Sequence, residues 1–343
     1  MLTRSRQVNF SNGVTIDTPL LVPSLSTRGF EPIVLDRQSF PAPAGYLQAF
    51  TPSAFRTALL VSAFDWSNDN LLASDQLRSG FESSPYAEIG LLIIDCGWYE
   101  SRQGADAGSP YTEPAPDATW NPTRHEETVG RLDSNARPAL VSYDRHAPYD
   151  EQVERAQEFF ANRRNVVRTI MLKPQHWGGY HNLNALTPSI PNLRGFDIIG
   201  LSDRELGPSI VKRTAFIASL RRLLDRNGVA GPIHIFGALD PMYSPLYFAA
   251  GAEIFDGLSW LRFAYHSGQS IHREAMILID RAVDMPLDRA ISLVQVRNLM
   301  ELENLGRDLR IVHQEQRFTV LRQADIIGRA FQACESEWDR PDG

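Results

Sequence analysis

Eight short apolar runs set the rhythm of this chain, at 19–24, 59–63, 90–95, 138–142, 167–172, 196–201, 232–236 and 253–256. Each ends in polar residues or glycine. Continuous apolar runs of this length suit strands buried on both faces. Helical patterns lie between them. Residues 149–163 place Val153, Ala156, Phe159 and Phe160 on one face, with Asp150 as the expected cap. Residues 208–227 carry Ile210, Phe216, Ile217, Leu220, Leu223 and Leu224 and stop at Gly228, and a shorter pattern at 244–250 ends at Gly251. Strands alternating with helices build a parallel sheet. Eight of them in 343 residues favour a closed (β/α)8 TIM barrel over an open sheet.

Two stretches depart from the rhythm. Residues 101–137 are rich in Pro, Gly, Asp and Ser, and are expected to form a long loop acting as a lid or strand clamp. Residues 287–333 return to helix spacing through Val294, Leu299, Leu302, Leu305, Leu309 and Ile311. The expected organisation is one domain, with the catalytic barrel over 1–290 and the last barrel helix plus a C-terminal helical cap over 291–343.

In such barrels chemistry sits at the C-terminal ends of the strands. The third run ends in Asp95-Cys96-Gly97-Trp98-Tyr99, the fourth in Tyr143-Asp144, the sixth in Gly200-Leu201-Ser202-Asp203-Arg204-Glu205, the seventh in Phe236-Gly237 and the eighth in Asp256-Gly257. A carboxylate directly after an apolar strand is costly to bury unless it is paired or used. Any one of these aspartates is as well explained as a helix cap. Three converging on one mouth point instead to a divided task, with one carboxylate ionised as nucleophile and another partly protonated as acid and base. That division suits displacement at a sugar anomeric carbon with retained configuration. Trp98, Tyr99 and Phe236 are candidates to stack on a flat base, or plain loop packing.

In their order and spacing these strand ends resemble the tRNA-guanine transglycosylase family, across roughly residues 15–320. Members of that family exchange a guanine in nucleic acid for a 7-deazaguanine base through a covalent aspartyl intermediate. The first run, Thr18-Pro19-Leu20-Leu21-Val22-Pro23, is similar to the family's first strand. The resemblance implies that Asp256 is the nucleophile and Asp95 the acid/base. It implies that Tyr99 and Phe236 stack on the base. It assigns Asp144, Gln175 ahead of Gly178-Gly179, Gly200, Leu201 and Glu205 to the base edge. Cys96 stands where the family has a serine, placed to touch the base or simply packed.

The departures narrow the substrate. The family's zinc site of three cysteines and a histidine has no counterpart, because no cysteine lies between Asp256 and Cys334. His266, His272 and His313 read as surface or satisfied residues, so no metal is expected. After Asp256 the text Gly257-Leu258-Ser259-Trp260-Leu261-Arg262 also diverges. DNA is therefore expected slightly ahead of tRNA as polymer, with free guanine or 7-deazaguanine as the small partner, a homodimer or accessory protein as a further partner, and no cofactor. Two other readings compete: a non-catalytic partner subunit of a transglycosylase, and a barrel hydrolase or lyase acting on a small molecule.

Charge and composition bound the rest. A net charge of -7 argues against holding nucleic acid by bulk charge. Two basic stretches remain as a local face: Arg163, Arg164 and Arg168, and Lys212, Arg213, Arg221, Arg222 and Arg226. The second reads first as the solvated face of a helix. Two cysteines are too few for a disulfide framework. No apolar run reaches the roughly 18 residues of a membrane span, and residues 1–7 lack the core of a signal peptide. A soluble, cytoplasmic protein is expected.

Overall fold

A computed structural model describes residues 1–50, 52–101, 119–280 and 284–338. All eight apolar runs are strands: β1 (Leu20–Pro23), β2 (Ala58–Ser62), β3 (Leu91–Asp95), β4 (Ala139–Val141), β5 (Val167–Leu172), β6 (Ile198–Ser202), β7 (Ile233–Phe236) and β8 (Ile254–Gly257). They form one eight-stranded sheet in which every paired neighbour is parallel and β8 lies beside β1. A parallel bridge between Ser24 and Leu60 brings β1 to β2 and nearly closes the barrel.

Alternation along the strands sorts the side chains. Leu20, Val22, Leu60, Ile93, Val141, Met171, Ile198 and Ile254 share one buried cluster, the barrel interior. Leu21, Leu59, Ile94, Leu140, Leu172, Ile199, Leu201, Ile235 and Phe255 belong to the other, against the surrounding helices. Both faces are apolar because both are covered, which is why the runs read as continuous. Below the interior, the hairpin Gln7–Asn9 and Thr15–Asp17 adds Phe10 and Ile16 to the same cluster and plugs that end.

The helices refine the expectations. The helix Tyr149–Phe160 follows Pro148 with no side-chain cap. Asp150 lies inside its first turn, where a carboxylate meets the positive helix end, and is not the cap. The helix Ile210–Arg226 is capped by Ser209, which accepts from the Lys212 N–H. Within 101–137 a helix spans Pro122–Val129, capped by Asn121, so that part is not loop. Residues 102–118, the body of the expected lid, lie outside the described residues.

The basic stretches do not form a free cationic face. Arg221 is fully buried and donates to the carbonyls of Val229 and Gly231 and to Asp225. Arg213 pairs with Asp203 at 2.8 Å, Arg168 pairs with Asp197 at 3.2 Å, and Arg222 and Arg163 lie over Trp338 and Phe159. Only Arg164, Lys212 and Arg226 of the two groups are exposed.

After β8 the chain forms a hairpin (Phe263–His266 with Gln269–His272), the helix Arg273–Ile279 and the long helix Leu287–Glu315. That helix runs through position 290 and packs on β1 and the hairpin, as the last helix of a barrel should. Buried Asn298 anchors it, donating to the carbonyls of Trp260 and Phe263 and accepting from the Tyr265 N–H. The helix Ala324–Glu335 then packs outside Ile210–Arg226 and Tyr243–Ala249. No described helix is long and apolar enough to cross a membrane.

Candidate active site

Asp256 is the last inward side chain of β8, two residues beyond the interior Ile254. It is 5% exposed, and both its oxygens are held. Ser24, just past β1, donates to Oδ2 at 2.8 Å. On Oδ1, His234 Nε2 of β7 lies 3.0 Å away and the Gly237 N–H donates at 3.3 Å. These partners come from the strands on either side of β8, so the carboxylate is aimed by the closure of the sheet. The sequence motifs missed Ser24 and His234. His234 was detectable as a lone histidine at an inward position of a buried strand.

Asp95 ends β3 by the same alternation, two residues beyond Ile93. Its side chain accepts from the chain that follows, with the Gly97 N–H donating at 3.2 Å. Gly97 has φ +80°, and a Cβ there would lie 2.5 Å from that of Phe64, so this return of the chain requires glycine. Burial, and then the charges of Asp144 and Asp256, push the Asp95 carboxyl up to about 7. Glu100 lies beyond it, also raised well above the carboxylate range by burial and by the charges of Asp65 and Asp95.

The third group was not legible as a motif. Lys173, the residue after β5, is buried, with Nζ 2.7 Å from Glu205 Oε2 and 3.2 Å from both Asp144 Oδ2 and the Ser202 hydroxyl. Burial works to lower its ammonium, and the charges of Asp144 and Glu205 outweigh that and raise it. Cys96 donates to Asp144 Oδ1 at 3.2 Å, so both oxygens of Asp144 are engaged. The buried thiol is itself pushed up by desolvation and by Asp144 and Asp95. Lys173 therefore stands between Asp144 and Glu205, two of the residues that the sequence assigned to the base edge together with Gln175. Gln175 stands half-buried in the following loop. A rule asking which strand runs end in any ionisable residue would have found Lys173.

Other expected residues divide. Gly200 lies under the Phe236 ring, where a Cβ would sit 2.8 Å from the ring carbon, so glycine here lets Phe236 enter the barrel. Phe236 stacks on His234, with centroids 3.8 Å apart. The Leu201 side chain is fully buried in the outer layer, which leaves its backbone for the base edge, the part of this residue that the motif itself uses. Tyr99 is clasped, with the Arg28 guanidinium 4.2 Å over its ring and Arg262 reaching its hydroxyl at 3.4 Å. Trp98, instead, faces Lys173, whose Nζ is 5.2 Å from its ring.

The mouth thus gathers Asp95, Asp144, Glu205 and Asp256, from β3, β4, β6 and β8, with one buried ammonium, Lys173, between Asp144 and Glu205. Among the described residues no cluster of three or more His, Cys, Asp or Glu side chains is arranged to hold a metal ion. Of the three histidines after β8, His272 accepts from the Glu274 N–H at a helix start and His313 bonds Thr3. No protein-family model matches the chain, and no curated protein matches it significantly.

Proposed function

We propose that this protein is a transglycosylase that exchanges guanine in nucleic acid for a 7-deazaguanine base, with DNA ahead of tRNA as the polymer. The observation that carries the reading is the unequal pair of aspartates in one mouth. Asp256 is held by hydrogen bonds on both oxygens, and Asp95 is raised to about 7. The order of strand-end motifs, which resembles the tRNA-guanine transglycosylase family, supports the same reading.

The roles follow from these environments. Asp256 attacks C1′ of the target nucleotide as the C1′–N9 bond breaks, giving a covalent aspartyl sugar. Asp95 delivers a proton to the departing guanine, since a group near 7 is about half protonated at neutral pH. It then takes a proton from the incoming base, whose N9 displaces Asp256. Two inversions retain the configuration at C1′. Asp144 and Glu205 present carboxylate oxygens to the N–H donors of a guanine-type edge, with Lys173 bridging the two. Within a duplex, the target nucleotide must leave the stack to reach a barrel mouth.

The test is radiolabelled guanine exchange into duplex DNA, single-stranded DNA and bulk tRNA, with wild type beside Asp256→Ala. Label entering one polymer, and lost in the variant, is the expected result. No exchange into any polymer, together with no guanine binding by calorimetry, would move the function to a barrel hydrolase or lyase on a small molecule.

A further inference from the structure

The aromatic side chains of this protein are unevenly placed. Among the described residues, Trp66, Trp120, Trp260 and Trp338 and Tyr46, Tyr86, Tyr149, Tyr247 and Tyr265 are buried. Every described Trp or Tyr that reaches solvent lies on the mouth side of the barrel: Trp98 and Tyr99 after β3, Tyr143 after β4, Trp177 and Tyr180 after β5, and Tyr243 after β7. Trp177, Tyr180 and Tyr243 are 46%, 51% and 44% exposed. Large rings are normally withdrawn from water, and a cluster left at one rim marks a contact surface.

Two of these mouth-side rings and the His146 imidazole form a continuous surface that leads out of the site. Trp98 lies against Lys173, Trp177 lies 5.0 Å from Trp98 at 54°, and His146 lies 4.8 Å from Trp177 at 79°. The loop bearing Tyr180 is fixed to the β6 loop, because the His181 N–H donates to the Glu205 carbonyl at 2.9 Å. The exposed rings therefore begin where the base-edge group of Lys173, Asp144 and Glu205 ends. The two basic stretches do not supply a phosphate track beside it, since the chain carries -7 overall and most residues of those stretches are internally engaged. Faces of flat rings recognise other flat rings, whatever the base.

We infer that Trp177 and Tyr180, backed by Trp98 and His146, form a stacking platform for unpaired nucleobases flanking the target nucleotide. The partner is a single-stranded or locally opened nucleic acid, engaged by base stacking more than by phosphate contacts. The inference rests on the nucleic-acid reading of the site and names how the polymer is held outside the pocket.

The experiment titrates wild type, Trp177→Ala, Trp177→Phe and Tyr180→Ala with labelled single-stranded DNA, with an abasic strand of equal length, and with duplex DNA. Wild type should bind the base-bearing strand at least about 10-fold tighter than the abasic one. Trp177→Ala should weaken the base-bearing strand about 5- to 100-fold and the abasic strand less than about 2-fold, with Trp177→Phe staying near wild type. Equal binding of the two strands by wild type, or an unchanged preference in Trp177→Ala, overturns the platform. So does a neutral oligosaccharide that competes as well as DNA and loses this ability in Trp177→Ala. Guanine exchange and its loss in Asp256→Ala report separately on the reaction, so a failed platform and a failed reaction are told apart.

Discussion

At the entrance to β8, Glu253 is fully buried and met by cation. Arg6 grips both its oxygens at 2.8 and 3.1 Å, Arg221 stands 3.9 Å away and Thr18 donates at 3.4 Å. At the far end of the same strand Asp256 is nearly as buried. It meets a serine hydroxyl, a backbone N–H and an imidazole, with Asp95 close enough to be raised by its charge. The plugged end of the barrel compensates its buried charge, and the open end leaves carboxylates in excess of cations. Buried charge that is fully paired serves the fold. Buried charge left unbalanced is costly, and is found where a reaction needs a proton or a nucleophile.

The largest expected effect separates the two ends by activity. Asp256→Asn should lower base exchange by about 10⁴-fold or more, because no covalent intermediate can form. Its unfolding free energy should change by only about 1 kcal/mol, the isosteric amide keeping an acceptor for Ser24. Exchange that survives in this variant would remove Asp256 from the reaction.

Glu253→Gln should do the reverse. Removing the carboxylate leaves Arg6 without its ion-pair partner and Arg221 with Asp225 alone, and the loss should be about 3–5 kcal/mol in urea unfolding. A cost near that of Asp256→Asn would erase the distinction between the two ends.

Asp95 gives a pH test of the open end. Its carboxyl moves from an ordinary value of 3.8 to about 7 in the folded protein, so the folded state holds the proton more tightly. That stabilisation is fully present below about pH 4 and is lost as pH rises through about 7. Wild type should therefore lose stability relative to Asp95→Asn across this window, read as urea midpoints at pH 4 to 8. A constant difference between the two would place Asp95 at an ordinary carboxylate value. In activity, the limb for protonation of the leaving guanine should fall as pH rises past about 7.

The smallest effect lies between the ends. Thr169 is buried in the barrel interior, and among the described residues its hydroxyl has no hydrogen-bond partner. Thr169→Val keeps the shape and removes the unpaired hydroxyl, so unfolding free energy should rise by about 1 kcal/mol. A loss of stability instead would mean that the hydroxyl has a bound water as partner.

Much of this molecule could be read from its sequence, for a local reason. A strand buried on both faces needs an unbroken apolar run, so all eight strands were visible, and the inward alternation that places Asp95 and Asp256 at the mouth follows from a period of two. The helix Pro122–Val129 was hidden by the proline- and aspartate-rich segment around it. Arg221 read as a solvated helix position because helix spacing does not show that carbonyls of the next loop will cover it. Lys173, His234 and Ser24 carried no recognisable motif.

By itself, then, the sequence determined the alternation of strands and helices, the parallel barrel and the list of ionisable residues that end its strands. Only the tertiary structure decided which of them meet. Asp256 with His234 and Ser24 spans up to 232 positions of chain, and Lys173 with Asp144 and Glu205 joins three separate strands. Such pairings depend on how neighbouring strands are staggered when the sheet closes, a property of the whole barrel that no single segment encodes.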